Sequence, residues 1–202
     1  MSRVVFIDRD GVINRNLGSH VKRWEEFVFL PGAIEALAAL TRHGFQSIVL
    51  TNQAAINRGI ITRETLEGIH TRMLGRIEAV GARIDGVFYC PHRPDEHCSC
   101  RKPQPGLLYQ AAERFGVKLS ESYLVGDAIT DIMAAKTAGC WPILVMTGRG
   151  IPAYLSPTAR RIEGYSVARN LQHAVHRILL EEGLVEPSFL DRVWRRPLRQ
   201  PR

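Results

Sequence analysis

The sequence has no long hydrophobic run. No apolar stretch approaches the roughly 18 residues needed to span a bilayer, so no transmembrane helix is expected. The N-terminal segment, MSRVVFIDRDG, lacks the length and the small-residue cleavage site of a secretory leader. There is no internal repeat and no low-complexity tract, which excludes solenoids and disordered linkers. Cysteine is scarce, with 4 in 202 residues. Three of them, Cys90, Cys98 and Cys100, fall close together, a pattern that favours metal binding over a disulfide framework. A cytoplasmic location follows as an expectation.

What is present is ordinary for a globular chain: 45% hydrophobic and 23% charged residues. The length fits one domain with a short extension. The formal net charge is +7. Five arginines against Glu186 and Asp191 place about +3 of it in residues 183–202. The rest is a modest excess, suited to phosphorylated small molecules as much as to nucleic acid.

Short apolar runs alternate with helical periodicity. The runs are Val4–Ile7, Ser47–Leu50, Gly86–Tyr89, Ser122–Val125 and Pro142–Met146. Helices are predicted over Ala33–Arg42, from a Thr62 cap to about Val80, from Pro105 to near Gly116, over Ile129–Ala138, and over Val167–Leu180. Alternation of this kind predicts an α/β fold, a Rossmann-like parallel sheet with helices on both faces. Ligands of such sheets bind beyond the carboxyl ends of the strands. Asp8 and Asp10, Thr51 and Asn52, Arg101 and Lys102, and Asp127 and Asp131 all fall there.

Asp8 and Asp10 are two residues apart, so strand alternation can turn both the same way, and Gly11 lets the chain bend. Adjacent carboxylates repel unless a cation or a proton lies between them. With Asp127 as a third, a hard cation such as Mg²⁺ has an oxygen donor set. The plainer alternative makes Asp8 the start of a loop and Asp10-Gly11 a turn. GDAITD after another strand argues against it.

In CPHRPDEHCSC, Cys90, His92, Cys98 and Cys100 offer three thiolates and an imidazole, a closed tetrahedral set for structural Zn²⁺. His97 is the alternative imidazole. The loop runs straight into Arg101 and Lys102, so a metal there would stiffen their presentation. Cys140, in AGCWP, reads as a buried small residue.

DRDGVIN, TNQ, RKP and GDxxxD, in that order, resemble the haloacid dehalogenase superfamily over roughly residues 3–182. The resemblance implies Asp8 as nucleophile, forming an aspartyl-phosphate, and Asp10 as general acid and base. It implies Thr51 and Lys102 on the phosphoryl oxygens. It implies Mg²⁺ on the Asp8 and Asp127 carboxylates and the Asp10 carbonyl, braced by Asp131. The zinc loop is similar to that of a subgroup acting on heptose bisphosphates and on histidinol phosphate, and TNQAAINRG is closer to the heptose type. Ala128 departs from that type, which commonly has Lys there.

No insertion between motifs is long enough for a large cap domain. Substrate selection is therefore expected from short loops: Asn16, Gly18, Ser19 and His20, with Asn52, Arg58 and Arg101. The expected partner is a small phosphorylated sugar, with neither a membrane nor nucleic acid. Polynucleotide 3′-phosphatases share a TNQ-like segment but are not expected to have the zinc loop. A catalytically idle scaffold is the non-enzymatic alternative, yet binding alone needs no second aspartate. Oligomeric state is left open, and a monomer suffices. Residues 183–202 form a basic extension without a motif, in which Phe189, Leu190, Val193 and Trp194 could make a short docking helix.

Overall fold

The structure, a computed structural model, describes residues 3–187. Six strands form one parallel sheet: β1 (Val4–Ile7), β2 (Gln46–Asn52), β3 (Gly86–Cys90), β4 (Tyr123–Gly126), β5 (Trp141–Val145) and β6 (Ser166–Ala168). Their order is β3-β2-β1-β4-β5-β6. The chain thus starts in the middle and winds outward in both directions, and the reversal leaves a crevice beyond the ends of β1 and β4.

Side-chain alternation builds two cores. Val5 and Ile7 face one, with Val49 and Val125; Val4 and Phe6 face the other, with Ile48, Leu50 and Leu124. Helices α1 (Ala33–Arg42) and α2 (Arg63–Glu78), with α6 (Leu171–Glu181), cover the first through Leu37, Ile69, Met73 and Ile178. Helices α3 (Gly106–Phe115) and α4 (Ile129–Ala138) cover the second through Leu107, Ala111 and Ala134. Each fully buried Leu, Ile or Phe contributes about 1.5–3 kcal/mol. Burial on both faces is why β1 reads as an unbroken apolar run.

The edges differ from the sequence reading. The last predicted helix was to begin at Val167, but Val167 and Ala168 pair with Leu144 and Val145 in β6. The helix starts only after Asn170, whose side chain accepts a hydrogen bond from His173 N at 2.9 Å. A further short helix, α5 (Gly150–Leu155), follows β5. Its Ile151, Tyr154 and Leu155 are exposed, so it carries no apolar stripe to read. Past α6, Val185 packs against the first core. The docking helix expected from Phe189 to Trp194 lies outside the described residues. Among those described, no helix is long and apolar enough to cross a membrane.

Candidate active site

Asp8 follows β1 directly. Its main-chain N–H donates to Val125 O of β4 at 2.9 Å, which pins it over the crevice. Lys102 Nζ donates to Asp8 Oδ1 at 2.8 Å and to Leu50 O at 2.7 Å, and pairs with Asp131 Oδ1 at 2.6 Å. The lysine is only 4% exposed. Its main chain is clamped by Asn52, whose Oδ1 accepts from Lys102 N and whose Nδ2 donates to Lys102 O, both at 3.1 Å. Asn52 was expected to face substrate; its amide instead holds the lysine in place. Between the two competing carboxylates, and against the effect of burial, the Lys102 ammonium is held above its ordinary range.

Asp8, Asp127 and Asp131 bring carboxylate oxygens within 4.8 Å of one another. Burial, opposed by Lys102 and reinforced by Asp131 and Asp127, pushes the Asp8 carboxyl up to about 8. Burial and then Asp131 push Asp127 up to about 6, against hydrogen bonds from Arg149 N (2.8 Å) and Asn16 Nδ2 (3.3 Å). Asp131 Oδ2 accepts from Ala128 N at 3.0 Å, while its Oδ1 is buried with an ion pair and no hydrogen bond. Hard oxygen donors and crowded negative charge fit a divalent cation such as Mg²⁺. The wall is cut to suit. A Cβ on Gly11 (φ +92°) or Gly148 (φ +56°) would run into Asp127 Oδ2, and both backbones favour glycine.

The Asp10 carboxylate stands apart from that cluster. Arg9 Nη2 donates to both its oxygens, at 3.0 and 2.9 Å. Asn14 Nδ2 donates to Oδ1 at 2.9 Å, and Gln53 Nε2 donates to Oδ2 at 2.8 Å while also reaching Thr51 Oγ1 at 2.9 Å. Burial would raise its proton affinity, but the Arg9 charge and these hydrogen bonds outweigh it and hold Asp10 below the usual carboxylate range. The cation beside Asp10 is therefore an arginine of the same motif. Strand alternation would send Arg9 to the opposite side from Asp10. But β1 ends at Ile7 and the chain curls, with the N–H groups of Ile13 and Asn14 both on Arg9 O, at 2.9 and 3.1 Å. Arg9 Nη1 in turn donates to His70 Nε2 at 2.9 Å. Burial and then Arg9 depress His70 to about 3, so the ring is neutral.

The four donors of the cysteine loop converge. The Sγ–Sγ separations are 3.2 Å (Cys90–Cys100), 3.5 Å (Cys98–Cys100) and 3.6 Å (Cys90–Cys98). His92 Nδ1 lies 3.5 Å from Cys90 Sγ and 3.3 Å from Cys100 Sγ. A tetrahedron with Zn–S bonds of about 2.3 Å has edges of about 3.8 Å, so the set needs only slight expansion around Zn²⁺. His97 is exposed and outside the cluster. Cys140 is buried, and burial pushes its thiol up to about 12. Purified protein is expected to carry about one zinc per chain. Cys98→Ser should shed it and Cys140→Ser should not, by elemental analysis; wild-type protein made without chelator and free of zinc would refute the site.

The cysteine loop is tied to its neighbours. Arg101 N donates to Cys98 Sγ at 3.3 Å, and Arg101 Nη1 donates to His92 O at 3.0 Å. Asn57 Nδ2 donates to Glu96 Oε1 at 3.0 Å, joining the second motif to the loop. Of the expected substrate loop, Asn16 reaches Asp127, whereas Gly18 and Ser19 are exposed. His20 is half-buried in a left-handed backbone (φ +65°). Burial lowers its proton affinity, as do the charges of Arg58, Arg149 and Arg101, against Asp10. Arg9, Gln53, His70 and Arg149 were not singled out from the sequence. Gln53 stood within the quoted TNQ motif, and Arg149 had no signal beyond its place in GRG.

Comparison with known proteins places the chain in a family. A family profile described as HAD-hydrolase-like matches residues 99–174. The chain belongs to the HAD-like family and is a phosphatase of that family, as its named relatives are. Its relatives are more particular. A D-glycero-beta-D-manno-heptose-1,7-bisphosphate 7-phosphatase of Pseudomonas aeruginosa is 43% identical over 152 residues, 75% of this chain and 85% of that one. One from Bordetella bronchiseptica is 40% identical over 73% of this chain and 83% of its own length. A crystal structure of the D,D-heptose 1,7-bisphosphate phosphatase from B. bronchiseptica, complexed with magnesium and phosphate, superposes with a TM-score of 0.84 at 37% identity. It covers 90% of this chain and 99% of that one.

Proposed function

We propose that the chain hydrolyses the 7-phosphate of D-glycero-D-manno-heptose 1,7-bisphosphate through an aspartyl-phosphate on Asp8. The observation that carries the chemistry is the Asp8 carboxylate, held at 2.8 Å from a buried Lys102 and beside Asp127. The names of the relatives support the substrate.

An Asp8 oxygen attacks phosphorus as the bond to the ester oxygen breaks, and Asp10 gives that oxygen its proton. Asp10 then takes a proton from water, the water oxygen attacks phosphorus, and the bond to Asp8 breaks, releasing phosphate. Arg9, Asn14 and Gln53 favour ionised Asp10, which makes its protonated form a strong acid. The incoming phosphate dianion raises its proton affinity and so favours that form. Thr51 and Lys102 meet the phosphoryl oxygens. Mg²⁺ held by Asp8, Asp127 and the Asp10 carbonyl, with Asp131 behind, supplies positive charge against those oxygens when bound.

Ala128 brings no charge to the mouth, so the second phosphate falls to Arg101, with Arg58 and Arg149 nearby. Histidinol phosphate would bring a cationic amine instead. Charge-assisted contacts of roughly 1.5–3 kcal/mol predict about a tenfold to hundredfold preference for the bisphosphate in kcat/KM. Side-by-side kinetics on heptose bisphosphate, histidinol phosphate and 3′-phosphorylated DNA test this. Equal or better turnover of histidinol phosphate would overturn the substrate assignment. Residues 1–182 are proposed as the phosphatase domain and 183–202 as an extension that catalysis does not need, although Val185 adds packing to the core.

A further inference from the structure

We infer that His70, on α2 and remote from the reacting atoms, is a positioning residue that orients Asp10 through Arg9 for proton transfer to the leaving group. This rests on Asp10 serving as the general acid.

Arg9 is fully buried. A buried guanidinium must spend its donors on acceptors or suffer their desolvation. Here Nη2 serves Asp10, Nη1 serves His70, and Nε has no partner. A further constraint is the Phe27 ring, whose centroid lies 5.9 Å away and whose attraction is weakly directional. Among the described residues His70 is thus the second of two polar anchors of this cation, and the one that fixes the plane of the guanidinium relative to Asp10. Arginine can only donate, so His70 Nε2 must accept, and the ring proton belongs on Nδ1. The histidine is 6% exposed on the core face of α2, in line with Leu66 and Met73. An apolar side chain would serve packing equally well there. A neutral acceptor at that point satisfies Arg9 without competing with Asp10 for its charge.

The consequence is selective. Misplacing Asp10 should cost most where the leaving oxygen needs its proton, and least where the leaving group departs readily as an anion. A general loss of structure would cost both alike. Phenyl phosphate and p-nitrophenyl phosphate differ in this respect and do not depend on the identity of the natural substrate. The value to measure is the ratio of kcat/KM for phenyl phosphate to that for p-nitrophenyl phosphate, with full-length protein saturated in Mg²⁺. This parameter reports steps up to release of the phenol, and the ratio is insensitive to the fraction of folded enzyme.

The ratio is expected to fall roughly tenfold in His70→Ala. It should fall likewise in His70→Met, which retains side-chain bulk and supplies the reading if the alanine variant does not fold. His70→Gln, whose amide oxygen can accept from Arg9, should restore it. Asp10→Asn should lower it furthest. A wild-type ratio in both His70→Ala and His70→Met, with Asp10→Asn shifted, would overturn the role of His70 while leaving the general acid in place. A wild-type ratio in Asp10→Asn would instead overturn the general-acid reading, and this inference with it.

Discussion

Asp8→Asn is expected to abolish phosphate release while leaving the protein folded. An amide cannot attack phosphorus to form the acyl-phosphate, and no other carboxylate stands where Asp8 does, pinned by its N–H to Val125 O at 2.9 Å. The fold should tolerate the change. Asparagine has the same shape, its Oδ1 can still accept from Lys102, and it removes a carboxyl that burial has pushed up to about 8. The crowding of ionisable carboxyls with Asp127 and Asp131 is also eased. Circular dichroism should be unchanged and phosphate release undetectable in purified, Mg²⁺-saturated protein. Release within tenfold of wild type, a range set by ordinary indirect effects, would remove Asp8 as the nucleophile.

Lys102→Met is expected to damage both turnover and stability. The ammonium is buried between Asp8 and Asp131, at 2.8 and 2.6 Å. Removing one partner of a buried ion pair leaves the other uncompensated, at about 3–5 kcal/mol. Methionine fills the volume, so the loss reports charge rather than a cavity. Turnover should fall by roughly 10²- to 10³-fold, the scale of losing one donor that stabilises developing negative charge. Added Mg²⁺ should recover part of the stability by binding the folded state, without restoring the rate. Thermal unfolding with and without chelator, beside steady-state kinetics, checks both. Wild-type stability and turnover together would show that Lys102 neither neutralises the cluster nor meets the phosphoryl group.

The parts of this site that could be read in advance are those in which residue type and short spacing define the chemistry. Cys90, His92, Cys98 and Cys100 form a donor set in eleven residues, and one imidazole satisfies the geometry. Asp8 and Asp127 follow apolar runs that the parallel sheet places side by side, with Ile7 opposite Val125. An interior place in the sheet for Val4–Ile7 follows from its lack of a polar face.

Other parts depend on contacts that no local pattern carries. Asn52 looks like a ligand because it is polar and ends a strand. Only the arrival of the Lys102 main chain, fifty residues on, reassigns its amide. His70 occupies a core position in a helical pattern and looks like any satisfied histidine until Arg9 is seen to need an acceptor. Arg9 itself was hidden by extending strand alternation one turn too far. The small edge strand β6 escaped notice because Val167 and Ala168 also continue the apolar period of the helix after them.

The most direct test of the central claim is to trap the phosphoryl group. In Asp10→Asn, p-nitrophenyl phosphate needs no acid to lose its leaving group, but hydrolysis of the intermediate lacks its base. The phosphoenzyme should therefore accumulate. Acid quench, intact mass and peptide mapping are expected to find one phosphoryl group per chain, labile to hydroxylamine, on the peptide containing Asp8. Release of p-nitrophenol in a burst with no protein-bound phosphoryl group, or with that group on a residue other than Asp8, would contradict the account.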